Sequence, residues 1–394
     1  MAEWITTNLE ECTDVLGDGL HGTPKYTERG EYAFINGNNL VDGEILIKKE
    51  TKRVDYSQYE KYKKTLTDRT ILVSINGTLG NVGIYDSEKI ILGKSACFFN
   101  VKESVDKDFI YYIVSSPAFK QYLESNATGT TIKNISLKQM RKYTFSLPQI
   151  SEQKRISSVL RRIDEKIKNN RAINKNLEQQ AQAYFDELFV VNADPNWSEC
   201  TLSDIGSVVA GGTPSKSKPE YYADQGIAWI TPKDLSVNKS KFISHGENDI
   251  SELGFSKSSA AKMPAGTILF SSRAPIGYIA IAQNEVTTNQ GFKSVIPNEN
   301  IGTAYLYFLL KNLLPTIEGM ASGSTFKEIS GSAMKSVPTV MPDADTIQLF
   351  SSFCEPVFKE QEILEAENQR LSALRNSLLP KLMSGELDVS DIDL

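Results

Sequence analysis

The chain has 394 residues, of which 40% are hydrophobic and 23% charged, and a formal net charge of −6 at pH 7. This composition is typical of a globular protein of two or three domains and excludes a disordered chain. There is no apolar run of roughly 18 residues, and MAEWITTNLEE lacks the features of a signal peptide, so we expect a cytoplasmic protein without membrane spans. The four cysteines are far apart and form no CxxC pair, which predicts neither a disulfide nor a zinc site.

Two similar octapeptides, GTTIKNIS at 129–136 and GSTFKEIS at 323–330, indicate an internal duplication. Further matches follow in the same order: HGTPKY with GGTPSK, AFINGNNL with AWITPKDL, and TILVSINGTLGNVGI with TILFSSRAPIGYIAI. Because repeated sequence reflects repeated units of structure, we predict two tandem copies of one fold.

Each copy begins with short β-branched runs, such as TILVSI and TILFSS, between Gly-, Pro- and Asn-rich loops, which predicts strands. Stretches such as KDFIYYIVSSPAFKQYLES and TAYLYFLLKNLLPTIEG predict helices, so the copies have an α/β (α+β) fold. Each copy ends in a long heptad-patterned segment that predicts a coiled-coil helix. We therefore expect globular domains at 1–149 and 193–342, a spacer helix at 150–192, and a second spacer helix with an acidic tail at 343–394.

The heptad seams predict that the two long helices pair. An antiparallel pair would give the molecule a pseudo-two-fold axis, and the alternative is a long amphipathic helix packed on its own domain. In the first helix the seam positions are Ile156, Ile163, Asn170, Leu177 and Tyr184, and Leu160, Ile167, Asn174, Ala181 and Leu188. Asn174 and Asn368 occupy equivalent seam positions, where a buried polar residue lowers stability but specifies the register. We predict that this pair sets the helix alignment.

Charge is unevenly distributed along the chain. Residues 127–175 carry a net charge of +9, whereas residues 343–394 carry −7. A solvated helix face is one interpretation of each run. Opposite charges at equivalent places in the two copies favour paired helices. The overall negative charge disfavours a nucleic-acid-binding protein, but the basic stretch makes such a function possible again.

A search for catalytic motifs finds little. The only histidines are His21 and His245, and no HExxH, GxSxG or GxGxxG motif occurs. IILGKSA resembles the end of a phosphate-binding loop, but Glu88 stands where that motif requires its first glycine. We interpret Gly93 and Lys94 as a turn and a surface charge. The sequence favours a protein that is not an enzyme, and a hydrolase or transferase would lack a nucleophile–base pair.

Several segments together carry a family resemblance. LPQISEQKRISSVLRRID at 147–164 resembles the central helix of the specificity subunits of Type I restriction-modification systems, and LRNSLLPKLMSGEL at 374–387 is similar to their distal helix. GGTPSKSKPEYYADQGIAWITPKDL at 211–235 resembles the start of a target recognition domain. The first copy departs from this pattern with HGTPKYTERGEYAFINGNNL, and the distal helix opens with DADTIQ.

The resemblance implies a non-catalytic subunit that recognises a bipartite, asymmetric double-stranded DNA site, one half-site per recognition domain. It also implies that the paired helices dock two methyltransferase subunits, which use S-adenosylmethionine, and that restriction subunits join the complex. The chain itself would need no cofactor and no metal. A coiled-coil scaffold that does not touch DNA is the alternative, and the acidic isoelectric point of about 5.3 favours it.

The duplication itself separates two kinds of DNA contact. Residues alike in both copies cannot distinguish two half-sites, so the octapeptides suit structural or phosphate contacts, with Gly129 and Gly323 opening a turn. The phosphate candidates are Thr130, Thr131, Lys133, Ser324, Thr325 and Lys327.

Base readout should use residues that differ between the copies and can hydrogen-bond base edges. In the first copy the candidates are Asn36, Asn38, Asn39, Lys52, Arg53 and Asn76, and in the second they are Lys216, Lys218, Lys233, Arg273, Gln290 and Lys293. Arg273 is the strongest, because SSRAPIG places it in a loop between two apolar runs at the position where SINGTLG has Asn76.

Overall fold

The computed structural model describes residues 4–129, 131–323 and 327–389. The chain divides into two compact units: unit 1 is Met1–Ile167 with Arg370–Leu394, and unit 2 is Lys168–Gln369. Each of the two long helices therefore contributes one part to each unit. In the described ranges no helix is both long and apolar enough to cross a membrane.

Unit 1 is built mainly of strands, with helices following them. Its strands are β1 (Ile5–Asn8), β2 (Thr13–Asp18), β3 (Tyr32–Ile35), β4 (Leu40–Val41), β5 (Glu44–Ile45), β6 (Arg53–Val54), β7 (Thr70–Ser74), β8 (Val82–Ile84), β9 (Ile90–Leu92), β10 (Ala96–Val101) and β11 (Thr144–Leu147). Its helices are α1 (Tyr56–Tyr62), α2 (Lys107–Ser115), α3 (Pro117–Asn126), α4 (Leu137–Arg141) and the start of α5 (Ile150–Asp186).

Unit 2 repeats this plan. Its strands are β12 (Ser198–Thr201), β13 (Gly206–Ala210), β14 (Tyr222–Ala223), β15 (Ile227–Ile230), β16 (Phe242–Ile243), β17 (Asn248–Ile250), β18 (Ile268–Ser272), β19 (Ile276–Ala282), β20 (Thr287–Thr288), β21 (Lys293–Pro297) and β22 (Pro338–Met341). Its further helices are α6 (Leu202–Ile205), α7 (Pro232–Val237), α8 (Glu252–Ser256), α9 (Thr303–Asn312), α10 (Leu314–Met320), α11 (Gly331–Lys335) and most of α12 (Ala344–Met383).

The sheets of the two units correspond strand by strand. The order β2-β10-β7-β8 in unit 1 recurs as β13-β21-β18-β19 in unit 2, where β16 extends the sheet. A parallel pair, β3 with β9, recurs as β15 with β20, and the terminal pair β1-β11 recurs as β12-β22. The predicted duplication and the predicted mixture of strands and helices are confirmed.

The long helices help to close the core of each unit. In unit 1, Ile156 and Leu160 of α5 and Leu382 of α12 join the buried cluster around Phe99 and Phe109. In unit 2, Phe185, Phe350 and Cys354 do the same. Burying each such side chain stabilises the fold by roughly 1.5–3 kcal/mol. Part of each long helix therefore packs on a globular core, as the alternative predicted, and part packs on the other long helix, as the seam predicted.

Within each unit the two helix segments run antiparallel. In unit 1 the Asp164 carboxylate accepts from the Arg375 guanidinium at 2.7 Å. In unit 2 Asn170 contacts Asn368, while Phe185 packs on Phe350 with ring centroids 5.7 Å apart. The predicted antiparallel pairing is confirmed within each unit, while the pseudo-two-fold axis stays a prediction.

Asn170 makes the side-chain contact with Asn368, while the predicted role of Asn174 and Asn368 in setting the register stays a prediction. Asn170 is fully buried, and its amide donates to Glu367 at 2.7 Å and to the Asn368 side chain at 3.1 Å. Asn174 instead offers its backbone carbonyl to Gln361 at 3.1 Å. The heptad assignment put both asparagines in the seam, but only the packing of two helices decides which one faces Asn368.

A buried ion cluster ties β16 to the helices in unit 2. Lys241 is only 7% exposed, and its ammonium donates to Glu178 at 2.7 Å and to Gln361 at 2.9 Å. It also lies 3.6 Å from the ring centroid of Phe358. Burial lowers the pKa of Lys241 to about 8, so the side chain is still charged at pH 7 and needs these partners.

We expect the double substitution Asn170→Leu with Asn368→Leu to raise the melting temperature and to permit other helix registers. Among the described residues the side-chain oxygen of Asn170 is buried without a hydrogen-bond partner. Such an unsatisfied group costs about 1–3 kcal/mol, and the substitution removes it. Thermal denaturation of the full chain measures the first effect, and light scattering measures the oligomeric state.

The matched control is Asn169→Leu, at an exposed position on the same helix. It should leave the melting temperature unchanged. If the double variant kept the wild-type melting temperature and oligomeric state, Asn170 and Asn368 would have no role in setting the register.

Candidate nucleic-acid interface

Three loops of unit 1 leave the sheets at the same end, after β3, β7 and β9. Since β3 and β9 are parallel neighbours, their carboxyl ends lie side by side, and the Gly93 amide donates to the Ile35 carbonyl at 2.8 Å. The loop after β7 is joined to them at Ser95, whose carbonyl accepts from the Ile75 amide at 2.9 Å. Backbone groups thus hold the origins of all three loops.

Unit 2 builds the same framework with other residues. After the parallel pair β15 and β20, the Asn289 amide donates to the Ile230 carbonyl at 3.0 Å. At the end of β18, the Ser272 amide donates to the Gly291 carbonyl at 2.8 Å. These contacts match those of unit 1 and make Asn76 and Arg273 equivalent, because each directly follows the residue that donates.

Serine side chains at the ends of β7 and β18 shape the next turns identically. Ser74 donates to the carbonyl four residues later at 2.7 Å and accepts from the amide seven residues later at 2.8 Å. Ser271 makes the same two contacts, both at 2.8 Å. The turns that carry Asn76 and Arg273 are therefore built alike, although their sequences differ.

The octapeptides lie beside these loops. The Ile135 amide donates to the Ile75 carbonyl at 3.0 Å, and the Ile329 amide donates to the Ser272 carbonyl at 3.1 Å. Gly129 has a φ of 94°, and a Cβ there would lie 2.3 Å from the Ile132 carbonyl, so the expected glycine turn is confirmed. Each octapeptide ends in a serine that caps a short helix.

Three of the six phosphate candidates lie within the described residues. Thr130, Ser324 and Thr325 lie outside the described residues. Thr131, Lys133 and Lys327 are exposed. The Lys133 carbonyl accepts from the Gly77 amide at 2.9 Å, so its backbone is anchored at the loop that carries Asn76 while its side chain is open to solvent.

A side-chain contact joins each octapeptide to the neighbouring loop. Asn76 donates to Asn134 at 3.2 Å, and Arg273 forms an ion pair with Glu328 at 3.4 Å. Asn134 and Glu328 are equivalent positions that differ between the copies, and sequence reasoning missed them. The difference between KNIS and KEIS was the available signal.

A cleft of about 690 Å³ brings together four of the six candidates in unit 2, namely Lys216, Lys233, Arg273 and Gln290. Trp229 and Tyr222 are part of its wall, with ring centroids 5.7 Å apart. Lys216, Lys233 and Gln290 are exposed and Arg273 is half-buried, so cationic and amide groups face one concave surface.

Acidic neighbours hold two cationic candidates of unit 2. Lys233 donates to Glu247 at 2.5 Å, and this hydrogen bond raises the pKa of the lysine. Lys293 is only 9% exposed and lies 3.8 Å from Glu328. Burial lowers the pKa of Lys293, and the charge of Arg273 adds to this effect while Glu328 opposes it. Lys293 and Arg273 therefore pair with the same carboxylate, that of Glu328.

The asparagines after β3 have distinct positions. Asn36 and Asn39 form a capping box around a single 3₁₀ turn, as Thr231 and Asp234 do at the start of α7. Asn39 is 8% exposed and its amide donates to the Leu46 carbonyl at 3.0 Å, so its side chain serves the backbone. Asn36 is half-buried, and its side-chain oxygen accepts from the Ser95 hydroxyl at 3.0 Å.

Asn38 is exposed at the tip of this turn.

The remaining candidates, Lys52, Lys218 and Arg53, contact residues of their own unit. Lys52 lies 4.6 Å from the ring centroid of Tyr26, and Lys218 lies 5.3 Å from that of Tyr221. The Arg53 guanidinium donates to the Glu31 carbonyl at 3.4 Å. Their role in base readout stays a prediction.

A mixed α/β unit that is built twice and joined to long helices is the architecture that the resemblance implied. The family model described as the Type I restriction modification DNA specificity domain matches residues 1–179 and again residues 195–373. The chain belongs to this family.

Individual relatives agree with this assignment. Over 190 residues the chain is 40% identical to the Type I restriction enzyme MjaIX specificity subunit of Methanocaldococcus jannaschii. This alignment covers 46% of this chain and 44% of that protein. The match therefore spans less than half the length of that relative. Over 358 residues it is 23% identical to the Type I restriction enzyme HindI specificity subunit of Haemophilus influenzae, covering 71% of this chain and 77% of that protein.

The fold is also similar to a solved structure, the Type I restriction-modification system S subunit from M. genitalium. The TM-score is 0.62 at 20% sequence identity, and the alignment covers 97% of this chain and 96% of that chain. At this identity the likeness concerns the fold.

We expect Arg273→Ala to relax or abolish recognition of one half-site only. A bidentate contact of an arginine with guanine contributes about 1–3 kcal/mol of discrimination, and unit 2 holds this side chain at the cleft. Competition binding of the assembled complex to duplexes with single-base changes measures the effect. Lys335→Ala, at an exposed position on α11, is the control and should bind as wild type does. Full-efficiency recognition of the same bipartite sequence by Arg273→Ala would contradict the assignment.

Proposed function

We propose that this chain is the DNA specificity subunit of a Type I restriction-modification complex. Each unit reads one half of a bipartite, asymmetric double-stranded DNA site. The observation that carries the proposal is the framework built twice with the same backbone contacts but with different polar side chains at Asn76 and Arg273. A protein that reads two different half-sites needs this combination, because the contacts that place the duplex are shared and those that read bases differ.

The chain is a non-catalytic subunit in this proposal. The carboxylates of the cleft already serve structural roles. Asp234 accepts from the Thr231 amide at 2.7 Å and from the Glu247 amide at 2.8 Å, and Glu247 is paired with Lys233. Methylation would come from two partner methyltransferase subunits that bring S-adenosylmethionine, and cleavage from restriction subunits.

Co-expression with the cognate methyltransferase subunit in a methylation-free host tests the proposal. Reading modified bases across the genome should reveal one bipartite motif with a gap of constant length. Methylation without a bipartite motif, or no dependence of methylation on this chain, would refute it.

The alternative of a scaffold that does not touch DNA predicts a different result. A gel shift of the assembled complex should then be absent at every salt concentration. A hydrolase or transferase should instead show activity as the isolated chain, whereas the proposed specificity subunit should be inactive alone.

We expect Lys133→Ala and Lys327→Ala to weaken binding to all DNA sequences alike. Each lysine belongs to an octapeptide that lies beside the loop carrying Asn76 or Arg273. Neutralising one phosphate contributes about one unit to the slope of log affinity against log salt. Titrations at several salt concentrations should show a shallower slope for each variant. A loss confined to one base sequence, with the salt slope unchanged, would assign these lysines to base readout instead.

A further inference from the structure

The loops after β9 and β20 form a third pair of equivalent loops beside those already described. The loop after β9 carries an exposed residue that was not among the base-readout candidates. In unit 1 the turn between β9 and β10 is closed by the Ala96 amide, which donates to the Gly93 carbonyl at 3.0 Å. In unit 2 the Phe292 amide donates to the Asn289 carbonyl at 3.2 Å. The expected turn at Gly93 is thus confirmed, and its second residue, Lys94, is the counterpart of Gln290.

Both residues are exposed at the tips of these turns. Gln290 lines the cleft of unit 2 together with Lys233 and Arg273, so one concave surface holds all three tips there. Lys94 therefore occupies, in unit 1, the place of a residue that faces the cleft in unit 2.

Ser95 joins the same three loops in unit 1. Its hydroxyl donates to the Asn36 side chain at 3.0 Å and accepts from the Gly37 amide at 2.9 Å, and its carbonyl accepts from the Ile75 amide. A Cβ on Gly93 would lie 2.3 Å from the Asn36 side-chain oxygen, so the turn and the loop after β3 are packed without space between them. The backbone on either side of Lys94 is therefore held against the loops that carry Asn38 and Asn76.

Asn38 corresponds to Lys233, since the capping boxes of Asn36 with Asn39 and of Thr231 with Asp234 align the two turns. Three tip positions therefore recur in each unit, and each bears a different side chain in the two copies. They are Asn38, Asn76 and Lys94 in unit 1, and Lys233, Arg273 and Gln290 in unit 2.

We propose that these three positions determine base specificity in each unit, and that Lys94 is a base-reading residue of the first half-site. The inference rests on the proposed function and assigns the readout within it. A lysine suits the acceptor edge of guanine, whereas asparagine and glutamine suit adenine. Unit 1 thus presents two amides and one cation, and unit 2 presents two cations and one amide. The first half-site should be read mainly at adenines and the second mainly at guanines.

The test uses the full chain co-expressed with its methyltransferase partner. Lys94→Ala should relax one base position of one half-site, with discrimination at that position falling on the order of 5- to 150-fold. Lys94→Gln should shift the preference at that position from guanine toward adenine. Gln290→Ala should relax one position in the other half-site only. Genome-wide reading of modified bases and competition with single-base duplex variants measure each effect.

Lys64→Ala is the matched control, because Lys64 is an exposed lysine of unit 1 in the segment between α1 and β7, which is not one of the three loops. It should keep the wild-type motif, and all variants should assemble with the partner to the same extent. Unchanged base preferences in both Lys94 variants would overturn the inference. A uniform loss that vanishes at low salt would overturn it as well, because Lys94 would then contact phosphate. If the wild-type complex marks no bipartite motif, the proposed function itself fails.

Discussion

Backbone hydrogen bonds at the loop ends of the sheets are the interaction on which the candidate interface depends. In each unit the amide that follows one strand donates to the last carbonyl of the neighbouring strand, as Gly93 does to Ile35 and Asn289 to Ile230. Buried backbone groups must be paired, and these pairs satisfy them whatever side chain follows. The tips can therefore carry Asn76 in one copy and Arg273 in the other without disturbing the scaffold. Two copies of one scaffold can thus present loop tips of different chemistry.

The octapeptides combine contacts that are shared by the two copies with one side chain that differs between them. Their similarity suggested a purely structural or phosphate-contacting segment, and their glycine turn and serine cap agree with that. Yet each also places one variable side chain, Asn134 or Glu328, against Asn76 or Arg273 of the neighbouring loop. Glu328 forms an ion pair with Arg273, whereas Asn134 offers Asn76 a neutral partner. One short segment can thus provide a common anchor and a specific support at the same time.

The long helices belong to the core of each unit as well as to the helix seam. Each helix gives apolar side chains to both cores, so Leu160 and Phe185, on one continuous helix, stabilise different units. The buried Lys241 cluster adds a polar contact between the sheet of unit 2 and its helices. A change in helix register would therefore disturb the cores as well as the seam.

The sequence by itself determined the duplication, the mixed fold, the two long helices and the family. These features follow from spacing, periodicity and local turn chemistry, which are present in the chain before it folds. It also singled out Arg273 and Asn76, because loops between apolar runs are recognisable locally. Only the tertiary structure decided that Asn170 faces Asn368, that Asn39 and Lys293 are buried, and that Lys94 corresponds to Gln290. Those outcomes depend on which distant strands and helices become neighbours, and a linear pattern does not contain that information.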